Sequence, residues 1–256
     1  MRAPPNPLRR KLEAGRPLHG CWLGLADFYA ARIAATAGFD WLLIDGEHAP
    51  NDLRSILAQL TALEASASAP VVRVPDHSPS RIKQMLDIGA QSLLVPMVET
   101  GEEAAALGRA CRYPPRGIRG VGYSLARASD FGARGGYMDN ADDEVFLMVQ
   151  VESRRGIGNL DAICAAEGVD GVFVGPFDLG IDMGHRDGPA APEVRRAALD
   201  AIARIAASGK VAGVLALDPG FAGECRAAGA RFVGIGIDVA ILADGMRALA
   251  SSVRDD

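Results

Sequence analysis

The sequence has no apolar run long enough to span a bilayer, which takes about 20 residues. At its start, Arg9, Arg10 and Lys11 are not followed by the apolar stretch of a secretory signal. The expectation is a cytoplasmic protein with no membrane partner. A basic excess is also missing: 27 Lys and Arg face 32 Asp and Glu, for a formal net charge of -5. Nucleic acid is therefore not the expected partner, and a small molecule is. Cysteine is sparse and scattered at Cys21, Cys111, Cys164 and Cys225. No CxxC pair or zinc-ligand spacing occurs, so these read as reduced, packed thiols. Lysine is scarcer still, with only Lys11, Lys83 and Lys210. None of the three falls at the C-terminal end of a candidate strand, which excludes a Schiff-base mechanism.

What the sequence does have is an internal repeat. Gly38-FDWLLID, Gly89-AQSLLVP, Gly168-VDGVFVG and Gly229-ARFVGIG share a glycine, a few mixed residues and an apolar run. Each reads as a helix closed by glycine and followed by a short buried strand. Extending the pattern predicts strands over 19–25, 41–46, 71–75, 92–97, 146–152, 171–175, 211–217 and 231–237. Eight helices alternate with them, including Asp52-LRSILAQLTAL and Pro192-EVRRAALDAIARIA, with Asp52 and Ser80 as candidate N-caps. Strict alternation over this length predicts one (β/α)8 TIM barrel domain over residues 1–256. The rival, an open doubly wound sheet, usually carries GxGxxG after its first strand; here that position reads Leu23-Gly-Leu-Ala-Asp. One connection, residues 114–140, is long and rich in Gly and Arg. Because it joins a helix to the next strand, topology places it on the face away from a barrel's active site. An oligomer contact and a substrate lid both remain open for it.

Polar residues collect at the strand ends where barrel enzymes do their chemistry. In Phe146-LMVQVES, Gln150 and Glu152 alternate onto one face. A buried carboxylate needs a partner or a metal. Asp178, in Gly175-Pro-Phe-Asp-Leu, falls just past the adjacent strand, and the two carboxylates form an all-oxygen donor set suited to Mg2+ or Mn2+. Asp178 could instead cap a helix. Asp45-Gly-Glu-His puts His48, a base with an ordinary pKa near neutrality, at another strand end. Arg73, in Val71-VRVP, can hold a carboxylate or an enolate in fixed geometry.

Taken with these residues, the stretches Gly38-FDWLLIDGEHAPND, Val71-VRVP, Ile82-KQMLDIGAQSLLVPMV, Arg112-YPPRGIRGVG, Gln150-VES and Gly168-VDGVFVGPFDL make the chain resemble the HpcH/HpaI aldolase family almost end to end. Within it the chain looks most like aldolases of the 4-hydroxy-2-oxoheptanedioate type. The resemblance implies metal-dependent cleavage of 4-hydroxy-2-keto acids to pyruvate, or hydroxypyruvate, and an aldehyde. It implies that Glu152 and Asp178 carry Mg2+ or Mn2+, with Co2+ a third candidate, and that the keto acid chelates the ion. Gln150 and the backbone at Gly175, Pro176, Phe177 and Asp178 would hold the keto acid, His48 would be the base, and Arg73 would stabilise the enolate. Asp87 would support the histidine, although the strand map sets it at a helix end toward the opposite face. Phe177 is larger than the residue usual at that position, which bears on the donor or acceptor pocket. A homohexamer is also implied. The alternatives are a lyase of the citrate-lyase or malyl-CoA type, for which the short loops leave little room for a CoA arm, and a non-catalytic barrel, which would have lost the metal pair.

Overall fold

The computed structural model describes residues 1–253. Eight parallel strands close into a barrel in sequence order, β1 (Leu18–Leu23), β2 (Trp41–Asp45), β3 (Ala69–Arg73), β4 (Ser92–Val95), β5 (Phe146–Val151), β6 (Gly171–Val174), β7 (Val211–Leu215) and β8 (Ala230–Ile237). The predicted (β/α)8 barrel is the observed fold. Strand limits differ by a residue or two: β3 begins at Ala69, and β7 ends at Leu215 rather than 217.

Among the described residues the helices number eleven rather than eight. They are α1 (Pro7–Glu13), α2 (Phe28–Ala34), α3 (Leu53–Leu63), α4 (Pro79–Asp87), α5 (Gly101–Ala110), α6 (Arg154–Gly158), α7 (Leu160–Ala165), α8 (Pro176–Asp182), α9 (Pro192–Ala207), α10 (Pro219–Ala227) and α11 (Asp238–Ser251). The surplus comes from α1 ahead of the barrel and from two helices in the layer after both β5 and β6. Asp52 caps α3 as predicted, its carboxylate accepting from the Arg54 and Ser55 amides. Ser80 lies inside α4 instead of capping it, because Pro79 is pre-set for the first helical position and moves the cap to Ser78. The four repeat glycines Gly38, Gly89, Gly168 and Gly229 all take φ between 85° and 111°, the left-handed conformation that ends a helix and that a side chain disfavours.

Alternation along the strands makes two apolar layers. Residues facing outward, such as Leu42, Val72, Val149 and Val174, meet the helices, while Trp41, Leu43, Val71, Met148, Phe173 and Phe232 fill the barrel interior. Trp41 stacks on Phe232 at 3.8 Å between centroids and meets Trp22 edge-on at 5.6 Å. Gly20 on β1 leaves the room: a Cβ there would stand 2.0 Å from the Trp41 ring. Leu8 and Leu12 of α1 join the same interior cluster and close one mouth of the barrel. The interior is therefore solid up to the strand C-termini, and the cavity that belongs to the barrel itself opens above them.

The 114–140 connection packs around the mouth closed by α1. Arg119 is buried, donates to Asp87 at 2.7 Å and lies over the Tyr113 ring at 4.5 Å. Arg127 donates to the Ile88 carbonyl at 2.9 Å, and the Gly136 amide to that of Met1 at 3.1 Å. By contrast α11 buries none of its residues. Among the described residues no helix is long and apolar enough to cross a membrane.

Candidate active site

The inward phase of each strand runs from apolar to polar at the open mouth. On β2 it passes Trp41 and Leu43 to Asp45; on β3, Ala69 and Val71 to Arg73; on β5, Phe146 and Met148 to Gln150, with Glu152 one step beyond. Asp45 and Arg73 are direct register partners. The guanidinium donates Nε to Asp45 Oδ1 at 2.8 Å and NH2 to Oδ2 at 2.6 Å, a planar two-point pairing. Its third nitrogen stands 2.8 Å from Glu47 Oε2 but out of line for a hydrogen bond, so that buried oxygen keeps an open valence. Arg73 thus sits clamped at the mouth, its guanidinium carbon 6.0 Å from the Trp22 ring centre.

Glu152 is buried, with 5% of its surface exposed. Its Oε1 accepts from the Met97 amide at 2.9 Å, and its Oε2 accepts from Gln150 Nε2. Met97 takes φ of 58°, an unfavoured conformation for a residue with a side chain, and the turn that imposes it aims the amide at the carboxylate. Gln150 Oε1 is buried without a partner. Across from it, Gly175 follows β6, and Asp178 stands in the first turn of α8. A Cβ on Gly175 would lie 2.6 Å from Glu152 Oε2 and 3.3 Å from Gln150 Nε2, so the missing side chain is what lets β6 close on these groups.

Electrostatically the site is overloaded with acid: Asp45, Glu47, Glu152 and Asp178 converge around one guanidinium. Burial pushes the Glu152 carboxyl above the usual range, and the Asp178 and Glu47 carboxylates add to this against the hydrogen bonds from Gln150 and Met97. Glu47 is raised as well, by burial and by Asp45 and Asp178, which together outweigh Arg73 and His48. Burial acts on Asp45 in the same direction, but its bonds to Arg73 and the guanidinium charge win, and it is held below the usual range. His48 is on the rim, its side chain 69% exposed and its ring 3.8 Å from the Glu47 carboxylate.

A cavity of about 500 Å3 opens beside these groups. Arg73, Gln150, His48 and Asp178 line its polar side, and Phe177, Leu215, Ile237 and Val239 its apolar side. Gly175 and Pro176 also line it. Of the residues singled out in the sequence, only Asp87 stands apart; within this chain it is engaged by Arg119 at the closed end. Among the described residues no three of His, Cys, Asp or Glu converge as a metal-holding set. The Asp45-Gly-Glu-His cluster stands out in the sequence, but the pairing of Asp45 and Glu47 with Arg73 does not. The available signal was that Asp45 shares the inward phase of Trp41 and Leu43.

The pattern of the HpcH/HpaI aldolase/citrate lyase family matches residues 18–245. A protein of Deinococcus radiodurans named hydroxypyruvate/pyruvate aldolase is 56% identical over 250 residues, 98% of this chain and 90% of that one. A Klebsiella pneumoniae protein named 4-hydroxy-2-oxo-heptane-1,7-dioate aldolase, the type anticipated from the sequence, is less similar: 50% identical over 246 residues, 96% of this chain and 93% of that one. Among solved structures, a HpcH/HpaI aldolase/citrate lyase family protein from Burkholderia cenocepacia superposes with a TM-score of 0.91 at 40% identity, covering 97% of this chain and 99% of that one.

Proposed function

Since the chain belongs to the HpcH/HpaI aldolase/citrate lyase family, we propose that it is a metal-dependent aldolase that makes and breaks the bond between C3 and C4 of 4-hydroxy-2-keto acids, with pyruvate or hydroxypyruvate as the keto-acid product. The convergence of Asp178, Gln150, Arg73 and His48 on one open cavity, with Glu152 bonded to Gln150 beside it, carries this reading. The names of the more similar relatives favour a short 2-keto acid donor over a dedicated heptanedioate substrate.

The residues present fit a divalent cation. The donors are all oxygen, Gln150 Oε1 is buried without a partner, and four carboxylates face a single guanidinium. Two protein carboxylates, Glu152 and Asp178, suffice for an ion such as Mg2+, Mn2+ or Co2+ that leaves its other positions to substrate and water. When bound, the ion supplies a Lewis acid for the 2-keto group.

The chain's own groups do the rest. Gln150 and the backbone from Gly175 to Asp178 orient the keto acid. Arg73, locked by Asp45, presents its charge where negative charge grows on the enolate oxygen. His48 takes the proton of the 4-hydroxyl; the C3–C4 bond then breaks, the electron pair passes into the enolate, and an aldehyde leaves. Protonation at C3 completes the keto acid.

The test offers pyruvate and hydroxypyruvate with a panel of aldehydes, with added divalent metal and after exhaustive chelation. Product should form only with metal, and Glu152→Ala or Asp178→Ala should lower the rate by roughly a hundred-fold or more. Full activity after chelation refutes the metal assignment, and no product with any aldehyde refutes the aldolase reading.

A further inference from the structure

We propose that Phe177 is a partition between the active cavity and a neighbouring apolar one, and that it sets how long an aldehyde tail the enzyme accepts. The inference deepens the aldolase reading and rests on it. Beside the active cavity of about 500 Å3 is a second of about 300 Å3, and Phe177 and Leu215 line both. The keto acid is oriented by the polar wall, so the aldehyde, joined at the carbon farthest from the carboxylate, points its tail at the apolar one, where Phe177 stands.

The Phe177 ring is seated on Gly188. A Cβ at 188 would lie 2.7 Å from ring atom Cδ1 and 3.1 Å from Cε1, and Gly188 has a φ of +53°. Glycine there creates the berth that lets the ring stand upright between the cavities. Phe177 is nonetheless 50% exposed, held on one side only.

Behind the ring the second cavity is lined by Ala190, Ala216, Leu217 and Phe221. Its one guanidinium, Arg195, is bound by both carboxylate oxygens of Glu224 at 2.7 and 2.8 Å and lies over Phe221. Asp187 and Asp218 border the same space, so its unneutralised charge is negative. The space suits an uncharged aliphatic tail and repels one ending in a carboxylate.

The experiment measures kcat/KM for condensation of pyruvate with straight-chain aldehydes of increasing length and with a carboxylate-ended aldehyde of matched length. It compares the wild type, Phe177→Ala, and Phe177→Ala combined with Ala190→Leu, which refills the second cavity. Because Phe177 adjoins backbone assigned to keto-acid binding, the readout is the ratio of long to short aldehydes rather than absolute rate. Phe177→Ala should raise that ratio about ten-fold for a gain of two buried methylenes. Ala190→Leu should return it toward the wild-type value, and the carboxylate-ended aldehyde should gain less. An unchanged ratio in an active variant overturns the partition, and an equal gain for the carboxylate-ended aldehyde overturns the apolar assignment. No turnover by the wild type with any aldehyde overturns the aldolase reading itself.

Discussion

Gly175→Ala adds one methyl group at the junction of β6 and α8, where it meets the Glu152 carboxylate at 2.6 Å, the Glu152 Cβ at 2.9 Å and Gln150 Nε2 at 3.3 Å. The Gly175 φ of -95° suits alanine, so the consequence is steric and not conformational. Glu152 must retreat, and the retreat pulls its oxygens away from the Met97 amide and from Gln150. Overpacking of this kind costs about 1–3 kcal/mol, which for a domain of this size lowers Tm by about 2–4 °C per kcal/mol. Activity should fall further than stability does, since displacing a catalytic group by about 1 Å can cost on the order of a hundred-fold. The assay pairs a thermal melt with kcat/KM for aldol cleavage at saturating metal. Gly158→Ala is the control: that glycine is exposed in α6 with nothing within 4 Å of its added Cβ, and the helix gains about 0.5–1 kcal/mol from alanine. If Gly175→Ala keeps full kcat/KM, the inference that β6 must approach Glu152 without a side chain is wrong.

Arg73→Lys keeps the charge but loses the fork that Asp45 grips, so both aldol cleavage and exchange of the pyruvate methyl protons with solvent should fall about a hundred-fold. His48→Ala should damage cleavage more than exchange, because pyruvate alone has no 4-hydroxyl; equal loss of both would show the histidine role to be misassigned. Asp45→Asn should cost about 3 kcal/mol near neutral pH by weakening a buried ion pair. The Asp45 pKa is lower folded than unfolded, so this advantage of the wild type is complete above the unfolded value of about 4 and shrinks as pH falls through the lower folded value. A difference in Tm that did not narrow in acid would contradict it. A homo-oligomer is proposed through α11, which leaves Ile241, Leu242, Met246 and Leu249 exposed as an apolar face. Sedimentation should show association for the wild type and its loss in Met246→Asp combined with Leu249→Asp, and a wild-type monomer at micromolar concentration would refute it.

The barrel was readable because its signals are local. A glycine with positive φ followed by an apolar run marks each of four helix-to-strand joints, and nothing distant is needed to interpret it. The positions of Gln150 and Arg73 at the mouth were readable for a related reason: strands alternate, and a polar residue in the inward phase at a strand end has nowhere to face but the mouth. The clamp on Arg73 was not readable, because it depends on register. Asp45 and Arg73 are 28 residues apart and meet only because β2 and β3 pair with Trp41 opposite Ala69; a slip of one residue would turn one of them outward. Nor does periodicity say what covers a helix. The α11 pattern is apolar on one side, yet the barrel buries none of it.

Register also explains why the site carries its excess of acid. Once pairing commits Asp45 and Glu47 to Arg73, the only guanidinium at the mouth among the described residues is engaged on the β2 side. Glu152 and Asp178, on the side of β5 and β6, then have Gln150 and the Met97 amide for company but, among the described residues, no cation of their own. The acid on that side is therefore open for a ligand to balance, and the clamp that immobilises Arg73 keeps it from collapsing onto Glu152. An arginine free to swing would neutralise the carboxylate pair and close the position that the proposed chemistry requires to stay open.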